Sequence, residues 1–370
     1  MFKNYLKIAF RSLKKSKSTS FINILGLSTG IACCIIIFLF VQNETSFDKF
    51  HKKSDDIFRV LTIDEALGVS SNLVGITLPA LGPAMENDFP EVKQRVRLMP
   101  RGRQLISYEQ QGFYTEHFTF AEPSLFEVFD FKLIEGDTEK ALTEPNTVIF
   151  TESMAKKTFG SENPIGKRID IGNQQDAEVV GIMADVPDNS HLNFDVVVSM
   201  QQADTTSGFA QFLRSWQSIS MVTYVELNDP NNEANVETKM EELIRANNVG
   251  DNFKVTLQPL ADVHLKSSGI LFQNYNLNET DINYVYTLAA VGLFVMLIAS
   301  FNFMNLSTAR STNRAREVGV RKVFGAIRTQ LINQFMVESV VLCFVSFIIA
   351  IGFVTLVSPL VNLPIDENLA

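Results

Sequence analysis

Three long apolar runs divide the chain, and the segments between them are mixed in polarity. The runs cover residues 21–42, 284–304 and 334–358, and Glu338 is the one charged residue within them. About 20 apolar residues in a helix are needed to cross the hydrocarbon core of a bilayer. Because lipid offers no hydrogen-bond partner to a peptide group, a spanning segment has to be helical. The pattern therefore predicts three transmembrane helices.

The segment between the first two runs, residues 43–283, alternates short β-like stretches with helical ones. One helical pattern lies between Pro79 and Phe89-Pro90, residues typical of a helix start and stop. We predict strands at 57–63, 146–150, 179–183, 222–227 and 254–260, and helices at 78–88, 152–159 and 233–247. Strands mixed with helices predict a large α+β domain in two lobes, in addition to the membrane helices.

Basic residues are concentrated at two places next to the apolar runs. Residues 1–20 hold six and no acidic residue, and residues 305–333 hold six against Glu317 alone. Since Lys- and Arg-rich flanks stay in the cytoplasm, both segments are predicted to be cytoplasmic. Residues 43–283 hold 20 basic and 37 acidic residues, a net charge of −17. This segment is predicted to lie on the outer side, and its charge argues against a nucleic-acid partner.

The N-terminal region has features of lipid contact and of helix packing. Residues 2–13 place apolar side chains on one helical face and basic ones on the other, which predicts an amphipathic helix on the cytoplasmic lipid surface. An ordinary helix packed on protein is the alternative. The first run contains Gly26 and Gly30, a spacing that lets two membrane helices approach closely. No small-x-small cleavage site follows, which favours an uncleaved span over a signal peptide.

The sequence offers no catalytic or metal-binding motif. The four histidines are scattered, and the three cysteines lie in the apolar runs. Residues 160–168 resemble a phosphate-binding loop, but five residues separate the glycines and Arg168 replaces the needed Ser or Thr, which favours a glycine turn. Asp185 and Asp188 could form an acid–base pair, although their context is typical of a turn. We predict neither an enzyme activity nor a cofactor or metal site.

Several short phrases stand in a characteristic order along the chain. The most specific is RAREVGVRKVFGA at 314–326; the others are NYLKIAFRSL at 4–13, FPEV at 89–92, FEVF at 126–129, PIGK at 164–167 and VGIMADVP at 180–187. Together they resemble the FtsX-like permease family with a MacB-type periplasmic core domain. These are the membrane subunits of one class of ATP-binding-cassette (ABC) transporters. The resemblance implies a bacterial inner-membrane protein with residues 43–283 in the periplasm and a cytoplasmic N-terminus.

The resemblance also implies a partner and a set of contact residues. Such a permease pairs with a cytosolic ABC ATPase, whose ATP-driven dimerisation pushes on the inner ends of the spans and moves the periplasmic domain. Arg316, Glu317, Arg321 and Lys322, in a short coupling helix within residues 305–333, are the implied contacts. Family members act on lipoproteins, peptides, drugs or cell-wall enzymes. Cargo, efflux and purely mechanical transmission therefore all stay open.

The number of predicted spans differs from that of the family. The family unit has four spans and this chain has three, with residues 359–370 beginning another outer loop. We expect either a truncated copy or the first half of a longer duplicated permease, assembled with a second copy or a second half. Two other classes stay open. A membrane receptor with a periplasmic ligand-binding domain would continue into a signalling domain, and a membrane-anchored hydrolase would need a nucleophile and a base in residues 43–283.

Overall fold

A computed structural model gives the fold in two compact units. It describes residues 7–8, 11, 17–65, 73–172, 175–250, 253–276, 279–309, 315, 318–320, 322–325 and 327–357. One unit, here called the membrane unit, comprises Met1–Thr45 and Ile282–Ala370, and the other, the outer unit, comprises Ser46–Asp281. Most of the predicted amphipathic helix at 2–13, and all of residues 359–370, lie outside the described residues.

The described helices and strands are as follows. The helices are α1 (Lys17–Glu44), α2 (Leu81–Asp88), α3 (Leu125–Val128), α4 (Glu152–Phe159), α5 (Gly208–Phe212), α6 (Glu233–Ala246), α7 (Leu260–Val263), α8 (Ile282–Ala309) and α9 (Arg328–Val357). The strands are β1 (Ile57–Asp64), β2 (Leu73–Val74), β3 (Val92–Tyr108), β4 (Gln111–Ala121), β5 (Leu133–Glu135), β6 (Thr147–Thr151), β7 (Arg168–Ile171), β8 (Gln175–Met183), β9 (Val196–Ser199), β10 (Val222–Leu227) and β11 (Phe253–Pro259).

The membrane unit contains α1, α8 and α9, which are long and apolar enough to cross a membrane. Many of their large apolar side chains are exposed, as lipid-facing surfaces require. The helix α9 begins before the apolar run, so Glu338 lies about three turns inside it rather than one. Glu338 is on the buried face of α9, together with Gln334 and Leu342.

One continuous mixed sheet forms the centre of the outer unit. Within the described residues it has eleven strands, with the main order β11-β1-β10-β3-β4-β9-β6-β8-β5. The strand β2 pairs with β1, and β7 pairs with both β3 and β8. The β4–β9 and β6–β8 pairs are parallel, whereas β1 is antiparallel to both of its main neighbours. The two predicted lobes therefore share a single sheet.

Both faces of this sheet carry buried side chains, because successive residues along a strand point to opposite faces. Val196 and Val198 belong to one hydrophobic cluster, and Val197 between them belongs to another. One face carries a single cluster that includes Tyr224 and Phe129. The other face carries one cluster between α2, α6 and the β1–β10–β11 end, one between α4 and the β6–β8 end, and a small one that includes Met99 and Met221. The whole sheet belongs to one compact unit, so the division into two lobes stays a prediction.

Most of the predicted elements of the outer unit are present, and the differences include the start of one helix and several strands. The helix predicted at 78–88 begins at Leu81, because residues 78–81 form a turn closed by a 3.1 Å hydrogen bond from the Leu81 N–H to the Leu78 carbonyl. The long hairpin of β3 and β4 was not predicted, because the arginines of β3 obscure its alternation. The glycine turn predicted at 160–168 is confirmed, with φ of 63° at Gly160 and 79° at Gly166.

Candidate functional site

Of the four residues implied to contact an ATPase, the structure describes Lys322. The other three, Arg316, Glu317 and Arg321, lie outside the described residues. Lys322 is exposed and helical; residues 318–320 are helical as well, with Val318 half-buried and the other two exposed. The Gly325 N–H donates to the Lys322 carbonyl at 3.0 Å. Gly325 has a φ of 87°, a conformation in which glycine ends the helical stretch without steric cost.

Exposed apolar side chains surround Lys322 on this loop. Val323 and Phe324 are 85% and 86% exposed, and Val320 and Ile327 are exposed as well. Clustered apolar side chains on a surface mark sites where protein or membrane covers them. The charges in the RAREVGVRK stretch drew the sequence-based prediction, and these apolar neighbours were missed. The signal that could have found them is the apolar Val-Phe pair directly after Arg321-Lys322.

Gly26 and Gly30 lie in the contact between α1 and α8. A Cβ atom built on Gly30 would lie 2.5 Å from the Cβ of Ala299, closer than real Cβ contacts. A Cβ built on Gly26 would lie 3.2 Å from Nδ2 of Asn302. Since both glycines are on the same face of α1, their missing side chains let the two helix backbones approach closely.

The close contact between helices continues along α1 on two faces. The Cys34 thiol lies 3.3 Å from the Gly292 carbonyl of α8. On another face, Ala32 of α1 clusters with Ala350 and Val354 of α9. The helix α1 therefore contacts both α8 and α9 through small residues.

We expect a Gly30→Leu substitution to destabilise the membrane unit by about 1–3 kcal/mol, because the new side chain collides with Ala299 and forces α1 and α8 apart. Thermal stability of the detergent-solubilised chain, followed by size-exclusion chromatography after heating, measures the effect. Gly352→Leu in α9 is the matched control, since no heavy atom lies within 4 Å of a Cβ built there. Equal stability of the two variants would contradict the close-packing role of Gly30.

The candidate chemical groups of the outer unit have structural partners. One Asp185 carboxylate oxygen accepts the Ser153 N–H at 3.0 Å and the Ser153 hydroxyl at 2.8 Å, at the start of α4. Lys167, in the loop that resembles a phosphate site, forms an ion pair with Glu162. Among the described residues, no group of three or more His, Cys, Asp or Glu side chains has the geometry of a metal site.

Comparisons with known proteins identify two regions of the chain. Residues 20–243 match the family model of the MacB-like periplasmic core domain, and residues 289–369 match that of the FtsX-like permease C-terminal region. The chain is 25% identical to the macrolide export ATP-binding/permease protein MacB of Aggregatibacter actinomycetemcomitans, over 60% of this chain and 32% of that protein. It is 28% identical to the uncharacterized ABC transporter permease YknZ of Bacillus subtilis, over 55% of this chain and 47% of that protein.

A solved structure with a similar chain is the periplasmic region of MacB from Actinobacillus actinomycetemcomitans. It is 15% identical, with a TM-score of 0.40, over 55% of this chain and 89% of that one. The chain spans less than half of the length of each of these two relatives. With its candidate spans and periplasmic core domain, it is a bacterial membrane protein with a periplasmic segment. Because the first family match covers more than half of the chain, the protein belongs to the ABC transporter permeases with a MacB-like periplasmic core domain and an FtsX-like C-terminal region.

Proposed function

We propose that this permease couples ATP hydrolysis by a separate cytosolic ATPase to movement of its periplasmic domain. The observation that carries the proposal is the exposed Val323–Phe324 pair beside Lys322, on the short loop between α8 and α9. Burying two fully exposed apolar side chains of this size is worth about 3–6 kcal/mol. A partner that covers them would hold the loop firmly, and the neighbouring Arg316, Glu317 and Arg321 would fix its orientation through charge pairs.

The distribution of charge supports a cytoplasmic position for this loop. Residues 1–20 and 305–333 are each separated from the outer unit by one span, so both lie on the same side of the membrane. Each holds six basic residues, which favours the cytoplasmic side for both. A soluble ATPase in the cytosol would then reach the loop, and the amphipathic segment at 2–13 would contact lipid on the same surface.

The packing of the spans provides a route for the movement. A push on the loop would act directly on the inner end of α8. Because Gly30 lets α1 lie close against Ala299 of α8, the two helices would move together. One residue, Thr45, separates the end of α1 from the outer unit, and α8 starts directly after the unit ends. Both ends of the periplasmic domain would therefore receive the displacement.

A photocrosslinking amino acid at Arg316, in the native host, tests the partner directly. We expect mass spectrometry of the crosslinked product to identify an ABC ATPase. The same probe at Tyr284, an exposed residue at the opposite end of α8, is the control and should capture no ATPase. Capture of lipid alone, or of a kinase or adaptor, at Arg316 would overturn the proposal and favour the membrane receptor.

Replacing Glu317 and Arg321 together by alanine should uncouple ATP hydrolysis from movement of the periplasmic domain. Loss of a charge pair from a protein interface costs about 2–5 kcal/mol, so we expect binding of the ATPase to weaken by at least about tenfold. Binding to the chain in lipid nanodiscs measures this effect, and alkaline extraction of membranes checks that insertion is unchanged.

The matched control for this double variant is Arg103→Ala with Glu116→Ala. These side chains form an exposed ion pair at 3.3 Å in the outer unit, so the control also removes one base and one acid. Unchanged ATPase binding in the control and a tenfold loss in the loop variant support the coupling assignment. Unchanged binding in both variants would remove Glu317 and Arg321 from the interface.

A further inference from the structure

A short segment at each end of the outer unit continues into the chain of the membrane unit. The first connector, residues 46–51, follows α1, and the second, residues 274–281 without the undescribed 277–278, precedes α8. Both connectors contact the same turn of the outer unit, at the end of α7. His264 is the buried centre of this turn, with 2% of its surface exposed.

His264 touches both connectors through different atoms. Its imidazole stacks on the Phe47 ring of the first connector, with the ring centroids 3.4 Å apart and the planes 1° from parallel. Its carbonyl oxygen accepts the N–H of Thr280, in the second connector, at 3.3 Å. The preceding carbonyl, of Val263, accepts the side-chain amide of Asn276 at 2.7 Å. Two segments that are far apart in sequence are thus fixed to one point.

The first connector is also fixed to the central sheet, through Asp48. The backbone N–H of Asp48 donates to the Asn189 carbonyl at 2.9 Å. One oxygen of its carboxylate accepts the backbone N–H of His191 at 3.1 Å. The other oxygen lies 2.8 Å from Nδ1 of His191. Nε2 of His191 lies 2.6 Å from the hydroxyl of Tyr224, which is fully buried in β10.

The conformation of Asp48 indicates that these contacts act together. Asp48 has a φ of 59°, in the left-handed region that a residue with a Cβ adopts only at some cost, although Asp tolerates it better than most. Its carboxylate and the His191 ring are almost completely buried. Apolar side chains could fill this space without the desolvation penalty. A series of hydrogen-bonded polar side chains instead favours one arrangement.

We propose that Asp48, His191 and His264 are positioning residues that lock both connectors to the rest of the outer unit. Movement of the spans would then reach the periplasmic domain as rigid-body motion. We call Phe47, Asp48, His191, Tyr224 and His264 the connector clamp. This inference rests on the proposed function for its purpose, but its geometry is independent of any ATPase. Without the clamp, a displacement of α1 or α8 would be absorbed by rotation of the connector backbone.

Hydrogen–deuterium exchange of the full chain in lipid nanodiscs tests the clamp without ATP. The Asp48 N–H reports the first connector, and the Thr280 N–H reports the second. We expect His264→Ala to raise exchange by about tenfold at both amides. The substitution removes the ring that stacks on Phe47 and fills the space next to the two connectors. Asp48→Asn removes the charge at the first connector, and we expect it to raise exchange at Thr280 as well, since coupling is reciprocal.

Two further variants separate a positioning role from general destabilisation. His264→Phe keeps a flat ring on Phe47 and the backbone carbonyl, so its exchange should match the unmodified protein. His117→Ala changes a histidine in the wall of the same cavity, of about 350 Å³, that Phe47, His191 and His264 also line, and it should leave both amides protected. The fluorescence of Trp216, the one tryptophan of the chain, checks that the outer unit stays folded.

The possible results separate clearly. Faster exchange at both connectors in His264→Ala and Asp48→Asn, with normal exchange in His264→Phe, supports the clamp. Changes confined to the substituted connector, or equal changes in His117→Ala, would overturn it. If Trp216 fluorescence shows that His264→Ala unfolds the outer unit, Asp48→Asn tests the clamp in its place and His264→Phe remains the control. A failed crosslink at Arg316 would overturn the proposed function and leave this result unaffected.

Discussion

Replacing Glu122 by glutamine should cost the outer unit about 3–5 kcal/mol of unfolding free energy, since it leaves a buried arginine without its counter-charge. Glu122 and Arg97 are each 6% exposed. Nη2 of Arg97 donates to one carboxylate oxygen at 2.6 Å, and its backbone N–H donates to the other at 2.9 Å. Arg95 forms a second ion pair with the same carboxylate. Glutamine has nearly the same volume, so the loss reports charge rather than a cavity.

Arg97 and Arg95 explain why the Glu122 carboxylate stays charged in the interior. Burial raises its pKa, but the charges and hydrogen bonds of Arg97 and Arg95 lower it more, and the net pKa lies below the usual value. A lowered pKa means that the contribution to stability is present above the unfolded pKa, 4.5, and is lost as pH falls through the folded value. The variant should therefore lose its disadvantage in strong acid.

Urea unfolding followed by Trp216 fluorescence measures the change at pH 7. Trp216 packs against the cluster that includes Phe58, Met85 and Val236, so its emission reports the folded outer unit. Glu116→Gln is the matched control, because its ion pair with Arg103 is exposed and should be worth less than about 1 kcal/mol. A loss in Glu122→Gln no larger than that of the control would show that the buried pair is replaceable.

Acidification from pH 7 to pH 4 should destabilise the unmodified outer unit by about 3 kcal/mol more than a His51→Asn variant. His51 is 1% exposed, and the rings of Phe50, Phe129 and Phe131 surround it. Its Nδ1 accepts the N–H of Asp130 at 3.0 Å, which requires an unprotonated nitrogen. Protonation of this nitrogen would break the hydrogen bond and place a charge among aromatic rings.

The sign and size of this effect follow from proton linkage. Burial lowers the pKa of His51 from 6.5 to about 4; the nearby Asp48 raises it, His191 lowers it and Asp130 raises it. His51 therefore binds a proton near pH 6.5 in the unfolded chain, but only near pH 4 in the folded chain. Stability is full above pH 6.5 and falls between these two values, at about 1.4 kcal/mol per pH unit.

Unfolding free energies measured at intervals from pH 7.5 to pH 4 distinguish the two proteins. Asparagine offers a side-chain oxygen to the Asp130 N–H and does not titrate in this range, so its curve should be flatter. At pH 7.5, His51 is mainly neutral in both the folded and the unfolded chain. The difference in unfolding free energy between the two proteins at this pH therefore reports packing alone. Parallel curves over the whole range would exclude His51 as the titrating group.

The sequence by itself determined the membrane helices and the local elements of the outer unit. A run of about 20 uncharged residues has one stable conformation in lipid, so length and polarity suffice to predict it. The helix α4 occupies the residues predicted for it, and Gly160 and Gly166 adopt the predicted turn. These features depend on neighbours within a few residues, and the local chemistry of capping, periodicity and glycine decides them.

Only the tertiary structure decided how distant segments meet. The strand β3 carries Arg95 and Arg97, which no local pattern places in a buried strand, and Glu122 on the far side of the hairpin makes their burial possible. The same holds for Asp48, whose partner His191, itself held by Tyr224, lies more than 140 residues away along the chain. Each side chain looks like a surface residue in its own segment. Its burial depends on a counter-charge or hydrogen-bond partner that only the fold brings within reach.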